Sequence, residues 1–150
     1  MERWEQESAR QADTIQGACL VLRGKALKRV GLLDEDYYIY SEEVDLCYRL
    51  RKGGRRLFWV PQAEVVHYGG QSTQQVAAEM FLHLYRGKLI YFRKHCGRLA
   101  TTAYKFILAL ASLARLAASP LIWLRPAPTR EKYLHLTRSY RKLLLSLWEI

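Results

Sequence analysis

The chain is 150 residues long, half of it is apolar, and its formal net charge is +10. This composition allows one ordinary domain with a genuine hydrophobic core. The three cysteines are widely spaced without a C-x-x-C pair, which argues against a zinc site or a disulfide framework and fits a reducing cytosolic setting. The polar, acidic N-terminus lacks the basic start and apolar segment of a signal peptide.

Short elements bounded by glycine are predicted for the first forty residues. Residues 17–22 form an apolar run that predicts a strand, and residues 24–30 predict a short helix. Gly31 stands where a left-handed C-cap would end that helix. The acidic and aromatic stretch 32–40 predicts a loop or an extended segment.

The next stretch, 41–52, predicts a helix that ends at a glycine pair. Ser41 is a suitable N-cap, and two glutamates follow in the first turn, where carboxylates complement the helix dipole. Asp45 and Arg49 are four residues apart, so they can form an ion pair on one side of this helix.

Glu43 occupies an unusual position on this predicted helix. It heads an otherwise apolar stripe of Leu46, Cys47 and Leu50, because residues three, four and seven apart share a helix face. Burying a carboxylate costs free energy unless something uses or satisfies its charge. A partly desolvated carboxylate beside a cleft suits a general base. The alternative is that Glu43 merely bonds free backbone N–H groups at the helix start.

A histidine is predicted at the end of a strand. Residues 56–60 and 64–67 predict two short strands separated by Pro61, and a glycine pair follows the second. His67, the last residue of the second strand, is placed to act as a metal ligand or an acid–base group. The alternative for this lone histidine is an ordinary structural role.

The second half of the chain is predicted to be helical. The helical pattern covers 74–118 and is punctuated by little besides Gly87 and Gly97, and prolines mark a linker before a last helix at 129–148. Apolar residues share one face of that last helix, and most of its basic residues lie off it. The members of the apolar face are Tyr133, Leu136, Tyr140, Leu143, Leu144 and Leu147.

All of the excess charge lies in this helical half. Residues 76–150 contain thirteen basic and three acidic side chains, whereas the charges of residues 1–75 cancel. Such asymmetry indicates a polyanionic partner, either nucleic acid or an anionic membrane surface. The sequence contains no helix-turn-helix or RNA-recognition signature, so the expected partners do not include nucleic acid.

The apolar stretch 106–124 indicates a membrane-surface helix. It is 19 residues long, near the roughly 20 that a spanning helix needs, but Arg115 and Pro120 disfavour a span. On a helical wheel, the polar residues between Lys94 and Ser119 form one narrow stripe beside a wide apolar face. That pattern is typical of a helix lying in the interface, with basic residues near anionic headgroups. The alternative is that this helix packs on another part of the protein or on a second protomer.

Several motifs in the same order resemble the second half of bacterial family 2 glycosyltransferases, in particular the rhamnosyltransferase-like members that build cell-surface polysaccharides. The motifs span about residues 14–98. They are GACLVLR at 17–23, VGLLDE at 30–35, YSEEVDLC at 40–47, VPQAEVVHYGG at 60–70 and YFRKH at 91–95.

The resemblance implies an α/β nucleotide-sugar-binding fold, of which this chain would be the C-terminal half, followed by an all-helical tail. The implied division is a partial catalytic domain on the acceptor side at 1–73, a helical membrane-surface or packing segment at 74–124, and a linker with an amphipathic helix at 125–150. The family's N-terminal half, with its nucleotide-binding residues and Asp-x-Asp motif, has no counterpart before Gly17, where the only aspartate is Asp13.

The resemblance also implies roles for individual residues. The family's Glu-Asp-x-Asp motif matches residues 42–45, which gives Glu43 the role of general base and makes Asp45 a second catalytic candidate. Gly17, Ala18 and Glu42 are the implied acceptor contacts. Glutamate replaces the family's usual aspartate at Glu43; the added methylene moves the carboxylate by on the order of an ångström, which can cost about 100-fold in rate.

The remaining expectations concern the metal, the partners and the location. His67 matches the histidine of the family's metal site, so a divalent metal, Mn or Mg, is expected in a full-length enzyme and only weakly in this chain. The expected partners are a nucleotide-sugar donor, a saccharide or lipid-linked acceptor and an anionic membrane surface on the cytoplasmic face of the inner membrane. The alternative function is a non-catalytic, membrane-associated or interaction remnant.

Overall fold

The chain divides into two compact units, unit 1 (Met1–Gly70) and unit 2 (Gln71–Ile150). A computed structural model describes residues 8–68, 76–120 and 126–149. In chain order the elements are β1 (Arg10–Ala12), α1 (Gly24–Val30), α2 (Glu42–Lys52), β2 (Leu57–Trp59), α3 (Ala77–His95), α4 (Gly97–Ala117) and α5 (Ala127–Ser146). The protein is therefore mostly helical, with a small two-stranded sheet.

Unit 1 packs its helices and its sheet around one small apolar cluster. Strands β1 and β2 pair antiparallel, with Gln11 opposite Phe58. Leu46, Cys47 and Leu50 of α2 are buried together with Leu57 of β2, and side chains of α1 pack against them. The predicted apolar stripe on α2 is thus confirmed, and it places the α2 N-terminus at the edge of the core.

Both helices of unit 1 lie where the sequence predicts them. Helix α1 ends at Gly31, whose φ of 86° and ψ of 173° lie in a region open essentially to glycine alone. A Cβ there would come within 3.7 Å of an Arg49 guanidinium nitrogen. Gly31 therefore turns the chain sharply, though not in the left-handed helical conformation that the sequence predicts.

Two of the three predicted strands are wrong. Strand β2 confirms the prediction at 56–60, but residues 17–22 and 64–67 belong to no strand. A strand exists only where another segment supplies hydrogen-bond partners, and the described part of the chain offers none beside either segment. The short strand β1 is not predicted, because three residues carry too little periodicity to detect.

The described residues of unit 2 form a bundle of three helices. Leu89 of α3, Leu108 of α4 and Leu143 and Leu147 at the end of α5 form its buried centre. The predicted apolar face of the last helix is confirmed by Leu143, Leu147, Tyr140 and Leu144. The segments 74–124 and 125–150, which the sequence separates, thus contribute helices to one unit.

Aromatic rings and the guanidinium of Arg115 surround the buried leucines of unit 2. Phe81 meets Tyr85 and Tyr140 edge to face, with ring centroids 4.9 and 5.0 Å apart. Burial, together with a hydrogen bond to Tyr140, raises the pKa of Tyr85 to about 12. The Tyr85 hydroxyl therefore stays neutral at physiological pH and serves the packing of α3 on α5.

The hydroxyl-bearing part of the polar stripe of α4 faces the inside of unit 2. Thr101 and Ser112 are buried, and their hydroxyls donate to the carbonyls of Gly97 and Leu108 at 2.9 and 2.7 Å. These bonds within the helix satisfy the hydroxyls without water. Lys105 lies 5.6 Å from the centre of the Trp148 ring, and Arg115 lies 5.4 Å from that of Tyr140.

The helical wheel predicts basic residues at the rim of a membrane-facing helix, and this stays a prediction: Arg98 and Arg115 are exposed, and Lys105 is half-buried. The rings of Tyr140 and Trp148 make cation–π contacts with Arg115 and Lys105. The apolar side of α4 consequently points outward. Its most exposed large side chains are Leu99, Phe106, Ile107, Leu110 and Leu113, each at least 51% exposed.

Candidate active site at the start of helix α2

Helix α2 begins at a strained turn. Tyr40 and Ser41 have φ values of 68° and 72°, in the left-handed region that residues other than glycine rarely occupy. Ser41 precedes the helix as predicted, but it makes no side-chain capping bond, because a capping hydroxyl needs an extended backbone to face the first amides. Strain of this kind, roughly 1–3 kcal/mol per residue, concentrates at functional sites.

The turn delivers two carboxylates with unsatisfied oxygens. Oε2 of Glu42 and Oε2 of Glu43 are buried, and neither has a hydrogen-bond partner among the described residues. A buried polar atom without a partner costs about 1–3 kcal/mol, more when it is charged. The Glu43 oxygen does not bond the backbone at the helix start, so the capping alternative finds no support there. An oxygen in this state is suited to accept a proton from a bound hydroxyl.

Gly17 lies directly against Glu43. A Cβ built on Gly17 would sit 3.6 Å from Cβ and 3.7 Å from Cγ of Glu43. Residues 17 and 18 form a turn, so this turn lies beside the Cβ and Cγ atoms of Glu43. The structure thus brings together three of the predicted site residues, Gly17, Glu42 and Glu43, with Ala18 next in the chain.

Asp45 has a different environment from the two glutamates. It is 1% exposed, its Oδ2 accepts a hydrogen bond from Arg49 Nε at 2.7 Å, and its Oδ1 accepts one from the Tyr37 hydroxyl at 3.4 Å. The predicted Asp45–Arg49 pair is therefore confirmed. The catalytic role of Asp45 stays a prediction, and its geometry favours a structural role because both oxygens are already engaged.

Arg49 ties two segments of unit 1 together. Besides its bond to Asp45, it donates to the carbonyls of Val30 at 2.6 Å and Leu32 at 2.8 Å. The fork thereby fixes the turn after α1 against α2. Only the pair four residues apart is visible in the sequence, because the carbonyl acceptors lie 19 and 17 residues away and any residue type can supply them.

The chain is similar in sequence to three curated glycosyltransferases. It is 36% identical over 91 residues to the N-acetylglucosaminyl-diphospho-decaprenol L-rhamnosyltransferase of Mycobacterium tuberculosis, and 32% identical over 69 residues to the rhamnosyltransferase WbbL of Escherichia coli. The low-salt glycan biosynthesis hexosyltransferase Agl10 of Haloferax volcanii is 22% identical over 81 residues. Over the stretches that it shares with them, the chain resembles rhamnosyltransferases.

The similarity covers different shares of the chain and of its relatives. It extends over 60%, 46% and 54% of this chain for the mycobacterial, Escherichia coli and Haloferax proteins in turn. The chain spans only 26–30% of the length of these glycosyltransferases. No protein-family profile matches it, and no solved structure matches it significantly.

His67 lies apart from any set of metal ligands in the part of the chain that the structure describes. It is exposed, and the described residues contain no group of three or more His, Cys, Asp or Glu side chains able to hold a metal ion. One exposed imidazole does not fit a divalent metal site, since such ions require several oxygen or nitrogen ligands. Its predicted role as a metal ligand therefore stays a prediction for a longer enzyme.

A groove of about 1210 Å³ lies on unit 1 beside the turn formed by residues 17 and 18. One wall is formed by residues 12–21 and includes Ala18, and the other is formed by residues 58–65. Phe58 and Trp59 of β2 line it with partly exposed rings. The sequence predicts strands on both walls but gives no sign that a groove separates them.

Substitutions of Gly17 test its contact with Glu43, with turnover measured in residues 1–150 joined to the N-terminal part of the mycobacterial rhamnosyltransferase. Gly17→Ala is expected to change turnover less than about threefold, because the added methyl meets Glu43 at ordinary van der Waals distance. Gly17→Leu is expected to reduce turnover at least tenfold, since its longer side chain must displace the Glu43 carboxylate or block the approach to it. Gly24→Leu is the matched control, because a Cβ there meets nothing within 4 Å. Equal losses at 17 and 24 would contradict the contact.

Proposed function

We propose that the chain supplies the acceptor side of an inverting family 2 glycosyltransferase. The complete enzyme transfers a sugar, a hexosyl or rhamnosyl group, from a nucleotide-sugar to a saccharide or lipid-linked acceptor. The observation that carries the proposal is the buried Glu43 Oε2, which has no hydrogen-bond partner among the described residues, on a side chain that lies against Gly17 at the strained start of α2. Support also comes from the rhamnosyltransferase-like sequence.

The proposed reaction is a single displacement. The acceptor hydroxyl oxygen attacks the anomeric carbon of the donor, and the bond from that carbon to the diphosphate oxygen breaks. The hydroxyl proton passes to Glu43, and the nucleoside diphosphate leaves with the bonding electron pair. Because attack and departure occur on opposite sides, the anomeric configuration inverts. A general base of this kind contributes about 100- to 10,000-fold to the rate.

The proposed reaction assigns no role to the expected Mn or Mg ion. The described residues do not form a ligand set. The residues of this chain are therefore given only the acceptor-side roles: Glu43 holds the proton, Glu42 and the 17–18 turn position the hydroxyl, and Asp45 remains with Arg49.

The isolated chain is predicted to transfer no sugar. Residues 1–150 joined to the N-terminal part of the mycobacterial rhamnosyltransferase, by contrast, are expected to form product. The measurement is the transfer of radiolabelled sugar from thymidine- or uridine-diphosphate donors to membrane lipid extracts, with Mn and with Mg. Turnover by the isolated chain would mean that its donor site lies among residues not assigned to it. No transfer by the joined protein, if folded, would remove support for the function.

The second proposed function is attachment to the cytoplasmic face of an anionic inner membrane through α4. Among the described helices, α4 alone is long and apolar enough to cross a bilayer. Of its most apolar 18-residue stretch, 17% is buried. It contains no acidic residue, and residues 76–150 carry the whole excess of positive charge. An outward apolar face on a basic body suits a helix lying in the membrane interface.

Vesicle co-sedimentation tests this attachment. We expect binding to anionic vesicles, partial release at high salt, and full release only by detergent. Salt at 1 M shortens the Debye length to about 3 Å and removes the electrostatic part, while the apolar face remains in the lipid. A spanning helix would resist salt entirely. If the protein bound neither anionic nor neutral vesicles, α4 would instead pack against protein. That result would favour the alternative that the chain is a non-catalytic interaction remnant.

A pair of leucines localises the contact. Leu110→Asp on α4 is expected to weaken vesicle binding at least tenfold, since burial of one leucine side chain contributes roughly 1.5–3 kcal/mol. Leu145→Asp on α5 is the matched control, because Leu145 and Leu110 are 68% and 66% exposed. Equal weakening by both variants would mean that α4 is not the contacting helix.

A further inference from the structure

The charges of unit 1 cancel in number, but the fold separates them along helix α2. The first turn of α2 contains three acidic residues, and its last turn contains three basic ones. Helix α1 has no acid in its first turn and ends with Lys28 and Arg29. The stretch 46–59 contains no acid either, and it adds Arg55 and Arg56 after the end of α2. Acidic and basic residues therefore stand at opposite ends of this helix.

The C-terminal ends of α1 and α2 meet. A Cβ built on Gly53 would lie 3.2 Å from Cγ1 of Val30, the last residue of α1. Just beyond, the amide of Arg55 donates to the carbonyl of Leu50 at 2.9 Å, which folds the chain back onto the end of α2. The basic residues at both helix ends and after the glycine pair are therefore neighbours. They form the basic end of unit 1, which consists of Lys28, Arg29, Lys52, Arg55 and Arg56.

The basic end is not neutralised by the acidic residues of unit 1. All of its members are exposed, and none forms an ion pair with a described residue. Asp13 is engaged by Arg51, at 2.8 Å. Glu43 precedes Lys52 by nine residues, which is roughly 14 Å along the helix axis. That separation exceeds the Debye length of about 8 Å at physiological ionic strength, so the acidic end of α2 screens these cations little.

Helix dipoles account for only part of the basic end. Cations in the last turn complement the partial negative charge of a helix C-terminus, which explains Lys28, Arg29 and Lys52. Arg55 and Arg56 follow α2 and belong to neither helix. They add like charge beside the other three, and accumulated like charge repels itself unless an anionic partner neutralises it.

We infer that the basic end of unit 1 is a docking surface for an anionic lipid bilayer, separate from helix α4 of unit 2. Its side chains come from three consecutive parts of unit 1 and do not line the groove. Anionic lipids attract each such cation individually, without requiring the convergent geometry of a pocket. The choice of a bilayer rests on the proposed function, because a lipid-linked acceptor is presented at a membrane.

The docking has a direct consequence for the candidate active site. With the basic end on the headgroups, the carboxylates of Glu42 and Glu43 stand at the far end of α2. Their separation from the basic end, roughly 14 Å along the axis, keeps the anionic headgroups from repelling them. The candidate active site is thereby held close to the membrane without being pressed against like charge.

Charge reversal tests the docking. The full chain is co-sedimented with vesicles of phosphatidylglycerol and phosphatidylcholine at physiological salt. Arg55→Glu is expected to weaken binding about 30-fold, since it changes the charge by two and each unit near such a surface contributes roughly fivefold. Arg29→Gln on α1 is expected to weaken it about fivefold. Arg23→Glu is the matched control, because exposed Arg23 precedes α1, roughly 10 Å along the axis from its basic end.

Two further measurements locate the contact. In the Leu110→Asp variant, where α4 is weakened, the remaining binding is expected to be released fully by 1 M salt and reduced again by Arg55→Glu. Acetylation of the intact chain by a water-soluble reagent is read out by mass spectrometry. Vesicles are expected to slow the acetylation of Lys28 and Lys52, since both amines lie at the headgroups.

The outcomes separate this inference from the proposed function. Equal losses by Arg55→Glu and Arg23→Glu would overturn the docking, because net charge alone would then drive binding. Unchanged binding in Arg55→Glu would overturn it as well and leave attachment to α4. Tighter binding to duplex RNA than to the vesicles, with the same dependence on Arg55, would instead assign the surface to nucleic acid. Vesicle binding that depends on Arg55, without sugar transfer by the joined enzyme, would sustain the docking and count against the glycosyltransferase function alone.

Discussion

Glu43→Gln is expected to abolish sugar transfer by the joined enzyme while leaving donor binding nearly unchanged. The amide preserves the shape of the side chain and removes the basic oxygen, so the expected loss in kcat is about 100-fold or more. Because the amide still fits beside Gly17, unit 1 should unfold at the same urea concentration. The measurement is kcat by labelled-sugar transfer, with the donor Kd measured separately by calorimetry.

Two further variants define which carboxylate acts. Glu42→Gln is expected to raise the acceptor KM more than it lowers kcat, because Glu42 is assigned to positioning. Glu43→Asp restores the family's usual residue and keeps a carboxylate, so it is expected to retain or increase turnover. If Glu43→Gln kept the wild-type kcat and Asp45→Asn lost it, Asp45 would be the base.

The helices of unit 1 were predictable because their signals are local. Gly31 ends α1, a glycine pair ends α2, and the apolar stripe that includes Leu46 and Leu50 repeats at helical spacing. Each signal lies within a few residues of the element that it defines. The position of Glu43 at the head of the stripe followed from the same periodicity, and so the carboxylate that carries the proposed function was identifiable from sequence.

Strand pairing and side-chain orientation required information from distant parts of the chain. Residues 17–22 have a strand-like pattern, but a strand needs a partner, which the described chain does not supply. On α4, a helical wheel separates Thr101 and Ser112 from the apolar side without saying which side faces α3 and α5. The rings of Tyr140 and Trp148 decided the orientation, and their positions depend on the packing of a different helix.

The strained turn before α2 could not be predicted either. Nothing in the residue types of Tyr40 and Ser41 indicates a positive φ, since both favour negative values. The surrounding structure imposes the conformation: Arg49 holds the turn after α1, and Tyr37 bonds Asp45. The expected capping by Ser41 failed for this reason, because tertiary contacts overrode a local preference.

Arg49→Met is expected to lower the free energy of unfolding of unit 1 by about 3–5 kcal/mol. The substitution keeps an unbranched aliphatic stem but leaves the carboxylate of Asp45, which is 1% exposed, buried without its cation. It also removes the donors to Val30 and Leu32. Arg49→Lys is expected to recover only part of the loss, because an ammonium cannot reproduce a planar fork that reaches three acceptors.

Arg51→Met is the matched control for this prediction. Arg51 lies on the same helix and forms an ion pair with Asp13 at 2.8 Å, but the two side chains are 44% and 78% exposed. An exposed pair of this kind contributes only about 0–1 kcal/mol. Urea titration monitored by hydrogen exchange of α2 peptides separates the two arginines, since it follows unit 1 independently of unit 2.

The double variant Asp45→Leu with Arg49→Met then tests the cause of the loss. Replacement of a whole buried ion pair by apolar residues is often neutral, or stabilising by about 1–4 kcal/mol, because neither charge must be desolvated. We therefore expect the double variant to recover most of the stability that Arg49→Met loses. Recovery would identify the stranded Asp45 charge as the main cost. If the double variant lost as much stability as Arg49→Met, the cost would instead come from the lost hydrogen bonds to Val30 and Leu32. If Arg49→Met itself lost no more stability than Arg51→Met, the prediction would be contradicted.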